Sequence, residues 1–112
     1  MSKRYCLALD LQNDAEGIAA YEKHHKEIWP EIAQSIQESG ILSMQLYRWK
    51  TRLFMIMETE DDFSFEKKAE MDEKNPKVQE WESLMWQYQK ALPGTLPGEK
   101  WQLMELIFDL DS

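Results

Sequence analysis

The chain has 112 residues, 43% of them apolar and 30% charged, enough for one packed core and too ordered in composition for a disordered tail. A net charge of -8, with lysines scattered and never in a run, excludes a phosphate-backbone binder and disfavours anionic lipid, so neither nucleic acid nor membrane is an expected partner. No apolar run approaches a membrane span, the N-terminus has no signal-peptide pattern, and the cytoplasm is the expected compartment.

Residues 4–11, RYCLALDL, form a short β-rich apolar run and predict a strand. Cys6 within it is the single cysteine; no disulfide within the chain is possible, no histidine or cysteine stands near it as a metal partner, and a buried reduced thiol is expected. NDAE follows, with Asn13 as the expected N-cap and Glu16 three residues on. A helix is predicted over residues 14–39, ended by Gly40. Residues 41–49 and 52–60 alternate as two strands, joined at Lys50 and Thr51. A short helix to about Asp72 comes next; Asn75-Pro76 then restarts the chain as N-cap and first helical residue of a helix to about Leu92. PGTLPGEK reads as a loop, and residues 101–110 as a last strand.

The order β-α-β-β-α-β predicts an α+β, ferredoxin-like domain over residues 1–112: a four-stranded antiparallel sheet with helices on one face. The other face would stay apolar and open, so a homodimer with sheet packed on sheet is expected.

The chemistry-bearing stretch is YEKHHKEIWPEI, residues 21–32, which holds both histidines. At helical spacing Ile18, Tyr21, His25, Ile28, Trp29, Ile32 and Ile36 fall within about 100° of arc and must face the sheet. Tyr21 and His25 are i, i+4 neighbours; His24 is expected at the surface. Pro30 removes a hydrogen bond to the Lys26 carbonyl and disfavours helical geometry at Trp29, so the helix should kink or break there, or Pro30 should open a second helical segment. A break would let Tyr21, His25 and Trp29 line a pocket. Val78, Trp81, Met85, Tyr88 and Leu92 make a second stripe, in which Trp81 is either packing or a flat wall for a ring-shaped ligand; Trp86 lies off it. No phosphate loop, metal motif or nucleophile motif occurs. The chemistry that fits is proton transfer without cofactor or metal. Glu58 and Glu105 are candidate inward carboxylates.

Taken with SGILSMQLYR, RLFMIME, NPKVQEWESLM and WQLMELIF, the histidine stretch resembles the L-rhamnose mutarotase family of dimeric α/β-barrel proteins from about residue 3 to 109. The resemblance implies a cytoplasmic homodimer that interconverts the α and β anomers of a 6-deoxy-L-hexose, L-fucose or L-rhamnose, without a cofactor. It places the family's proton-donating histidine at His25 and its substrate tyrosine at Tyr21. A second substrate tyrosine falls on Met44, and a Trp-Trp pair falls on Trp81-Glu82. These departures favour L-fucose, and Glu82 joins the strand carboxylates as a candidate base on the anomeric hydroxyl. A cofactor-free monooxygenase and a non-enzymatic ligand-binding module are the competing readings.

Overall fold

The computed structural model describes residues 2–111. Five strands and four helices follow in the order β1 (Ser2–Leu11), α1 (Ala15–Lys26), α2 (Pro30–Glu38), β2 (Ile41–Trp49), β3 (Arg52–Glu60), α3 (Phe65–Glu73), α4 (Pro76–Trp86), β4 (Gln89–Lys90) and β5 (Gln102–Leu103). The sheet is antiparallel, ordered β2-β3-β1-β4, and β5 also pairs with β1. This is the expected ferredoxin-like architecture.

Strand pairing decides which side chains meet the helices. Opposite pairs Leu7–Met55 and Leu9–Leu53 put the odd residues of both strands on one face, where Leu9, Leu11 and Leu53 are almost fully buried. Each such leucine contributes about 1.5–3 kcal/mol by leaving water. The even residues, among them Ala8, Phe54 and Ile56, look the other way. Cys6 is one of them: it is half-buried on that face, not enclosed in the core.

The single helix expected over 14–39 is two. Trp29 is extended (φ -61°, ψ 137°), which the following proline enforces, and Pro30 is the first residue of α2. The first N-cap is Asp14, not Asn13: its carboxylate accepts from the Gly17 amide, so no reciprocal bond from Glu16 forms. Asn75 and Pro76 open α4 as expected, the Asn75 side chain accepting from the amides of Lys77 and Val78. Helix α4 stops at Trp86, short of Leu92, because the chain turns to lay Gln89 and Lys90 beside Leu11 and Asp10.

Residues 101–110 do not form one strand. Only Gln102 and Leu103 pair with β1, opposite Ala8 and Leu7, and the Met104 amide adds one bond to the Cys6 carbonyl. Beyond it Leu106, Ile107, Phe108 and Leu110 are 74–91% exposed. The alternation of that tail reads as a strand, but among the described residues no strand pairs with it beyond Leu103.

Candidate active site

Helix α1 carries the candidate side chains Tyr21 and His25. Tyr21 is buried, and its hydroxyl accepts from Gln89 Nε2 at 3.2 Å. The Gln89 carbonyl in turn accepts from Gln12 Nε2. Strand β4 therefore exists to hold a polar partner against α1 as much as to extend the sheet. Burial raises the Tyr21 pKa above that of a free phenol, the Gln89 bond opposing it, so the hydroxyl stays protonated.

One turn on, His25 Nδ1 lies 2.8 Å from the Tyr21 carbonyl oxygen. A carbonyl only accepts, so Nδ1 carries a hydrogen and Nε2 is left as the atom whose proton comes and goes. The imidazole stacks on the Tyr21 ring at 4.4 Å between centroids and meets the Trp81 edge at 5.6 Å. Burial lowers the His25 pKa below 6.5; the Tyr21 carbonyl opposes this, and the charge of His24 adds to it. At neutral pH His25 is a neutral imidazole with a free lone pair on Nε2.

These groups open onto a cleft of about 380 Å³ between α1 and the β2 edge, walled by Tyr21, His25, Leu46, Leu53, Glu22 and Arg48 among others. Its size lies within the range of roughly 300–1,000 Å³ common for small-ligand sites. No cluster of three potential metal ligands occurs among the described residues.

The structure gathers some sequence candidates and separates others. Trp81 joins His25, with Trp29 stacked edge-on to it at 5.2 Å. Trp29 reaches that place because the helix breaks before Pro30. Met44 points to the helices but packs with Leu7, Ile41, Met57 and Phe63, away from the cleft wall. Glu82, on α4 beside Trp81, is half-buried and is not part of that wall. Glu58 faces the opposite side of the sheet, paired with Arg4 at 3.0 Å, because its register sets it beside Ser43 and not among the inward residues. Glu105 lies in the exposed tail. His24, expected at the surface, is half-buried between the Tyr88 and Trp81 rings at 5.8 and 6.4 Å. Trp86 is exposed, with Lys100 Nζ 5.0 Å from its ring.

Glu22 and Arg48 were missed. The signal was present: Met44, Leu46 and Arg48 sit at i, i+2 and i+4 of one strand, so the strand's apolar face ends in a guanidinium. Glu22 stands three residues before His25, within reach of the same lip of the helix.

A ferredoxin-like sheet thus carries one helix with a buried tyrosine and, a turn on, a half-buried histidine. The sequence model of the L-rhamnose mutarotase family matches residues 4–110, and the chain belongs to that family. It is 46% identical to an L-fucose mutarotase of Xanthomonas campestris pv. campestris, over 98% of this chain and 90% of that protein. It is 27% identical to the L-rhamnose mutarotase of Enterococcus faecalis, over 98% and 99% of the two chains. Among solved structures, an L-rhamnose mutarotase from Formosa agariphila superposes with a TM-score of 0.71 at 19% identity, over 96% of this chain and 98% of that one. None of these similarities favours the monooxygenase or binding-module readings.

Proposed function

We propose that the protein is a cofactor-free mutarotase that interconverts the α and β anomers of a 6-deoxy-L-hexose, with His25 as its catalytic residue. The observation that carries this is the fixed tautomer of His25 on a cleft wall, in a chain of the mutarotase family. Neutral Nε2 takes the proton of the anomeric hydroxyl. The C1–O1 bond becomes a carbonyl, the bond from C1 to the ring oxygen breaks, and the ring oxygen receives that same proton back from Nε2. Both oxygens are bonded to C1, so one imidazole reaches each in turn and ends as it began. No separate base such as Glu82 is required. The open aldehyde turns about C1–C2 and recloses by the reverse steps. Positioned proton transfer supplies roughly 10²- to 10⁴-fold, enough for a reaction that already proceeds in water.

Tyr21, protonated and anchored by Gln89, offers its hydroxyl to a sugar oxygen, and the Trp81 and Trp29 rings, which do not line the cleft themselves, back the His25 imidazole. The preferred sugar is L-fucose, supported by the 46% identity to the L-fucose enzyme against 27% to the L-rhamnose enzyme. Met44 lies off the cleft and does not bear on this choice.

The working form is a cytoplasmic homodimer joined through the sheet faces. Tyr47 and Trp49 on the helix-free face are 54% and 72% exposed, and the apolar tail from Leu106 to Leu110 is exposed as well and in need of cover. Light scattering at about twice 13.4 kDa is the expected result, and a clean monomer would refute this assembly.

Saturation-transfer NMR with catalytic amounts of protein tests the activity directly. Exchange between the two anomeric proton signals should quicken for L-fucose more than for L-rhamnose. The reverse order would change the substrate, and no acceleration with either would remove the mutarotase reading.

A further inference from the structure

Strand β2 is an edge of the sheet, and its pairing with β3 sets Met44, Leu46 and Arg48 on the helix side. Met44 and Leu46 pack into the core clusters, whereas Arg48 carries a guanidinium onto the wall of the cleft that holds His25. Arg48 Nε donates to Glu22 Oε1 at 2.6 Å, and Nη1 donates to the Lys50 carbonyl at 2.7 Å. With side chains 35% and 47% exposed, the Arg48–Glu22 pair is screened by solvent and adds little to stability. Its consequence is geometrical. Two anchors, one on helix α1 and one in the turn after β2, hold a flat fork with five N–H donors, more than those two bonds use.

We propose that Arg48, oriented by Glu22, is a specificity-determining residue that donates to ring hydroxyls of the sugar while His25 works at the anomeric carbon. This rests on the mutarotase reading. Hydroxyl oxygens accept from a guanidinium, and a carboxylate oxygen of Glu22 accepts a hydroxyl proton in return, so the pair can grip two neighbouring hydroxyls in one orientation. L-Fucose and L-rhamnose share the 6-deoxy methyl and differ in which ring hydroxyls are axial. A fixed fork therefore separates them, where an apolar wall would not. An inward charge on an edge strand also guards that edge against pairing with another chain. Guarding needs only a charge; gripping two hydroxyls needs the fork.

The test compares wild type, Arg48→Lys, Arg48→Leu and Glu22→Gln by anomer-exchange NMR on both sugars. Arg48→Leu should raise KM for the preferred sugar on the order of tenfold or more, with kcat within about threefold of wild type, the mark of lost binding common to ground and transition states. The ratio of kcat/KM between the two sugars should move towards one, which a purely structural role would leave unchanged. Arg48→Lys, which keeps the charge and loses the fork, should show most of both effects, and Glu22→Gln a smaller change in the same direction. If Arg48→Leu fails to fold by circular dichroism, Arg48→Lys carries the decision. Wild-type KM and wild-type sugar ratio in Arg48→Lys would overturn the proposal and leave edge guarding. An inactive wild-type protein would overturn the mutarotase reading as well, and is seen before any variant is compared.

Discussion

At one end of the space between helices and sheet, Leu7, Ile41, Met57 and Phe63 close on one another, with Tyr5, Ile36 and Met44 around them. At the other, Leu11, Tyr21, Leu53 and Met85 meet under Trp81 and Tyr88. The two clusters are similar in kind but not in what they contain. The buried side chains that form the first cluster are all apolar, with the Tyr5 phenol only at its margin. The second admits a phenol, and next to it a glutamine amide and an imidazole, each with a named hydrogen-bond partner. Buried polar atoms cost free energy unless paired, so a cluster that carries them is there for more than cohesion. One end holds the fold together, and the other gives up some apolar contact to place a titrating nitrogen on a cleft.

Substitutions can break this division. The largest effect is expected from His25→Ala, which should slow anomer exchange on the order of 10²-fold or more while the circular dichroism and assembly state stay as in wild type. A His25→Ala protein with wild-type exchange would return the histidine to the role of packing. Met57→Ala belongs to the apolar end. It should cost about 2–5 kcal/mol in denaturant unfolding and leave kcat per folded molecule unaltered. A matched loss of kcat would show that the two ends are coupled.

The pH dependence sharpens the comparison, because the titrating group of the cleft is confined to one end. Around it stand Tyr21, His24, Glu22, Lys26 and Arg48. His25 has a folded pKa below its unfolded value, since burial disfavours the imidazolium. The unfolded chain therefore binds more protons in the window between that lowered pKa and 6.5. Stability should rise with pH across this window and be lost as pH falls through it. Exchange depends on neutral Nε2, so kcat/KM should rise as pH climbs through that lowered pKa and then level off. A rate that falls with rising pH there would mean that the imidazolium is the working form. The smallest effect is expected from His24→Ala: its ring touches Trp81 and Tyr88 from outside the cleft wall, and exchange should stay within about twofold of wild type. Equal losses in the His24 and His25 variants would undo the assignment by helix face.

Much of this was legible in the sequence because local rules govern it. The alternation in residues 41–60 gave both strands and their turn, where Lys50 adopts φ 52° in place of the usual Asn or Gly. Asn75-Pro76 announced α4 through the missing amide and fixed φ of proline. Tyr21 and His25 were paired by spacing alone. What escaped depends on contacts between distant segments. The position of Met44 in the apolar cluster follows from its register opposite Met57, which no property of residues 41–49 reports. Arg48 was passed over because a terminal charge on a strand reads as solvent-facing until the helix carrying Glu22 is laid across it. The tail beyond Leu103 was read as a strand because β-propensity is written in the residues, whereas a pairing partner is not.

The break at Pro30 has a consequence for where this chemistry sits in the chain. Helix α1 starts at its own cap, Asp14, and ends before its own stop, so its 12 residues hold Tyr21, Glu22 and His25 as one contiguous cassette. The extended Trp29 between the two helices transmits no helical register from α1 into α2. The proposed acid–base residue and its tyrosine neighbour can thus be altered within one stretch of 12 residues, apart from the strands beneath.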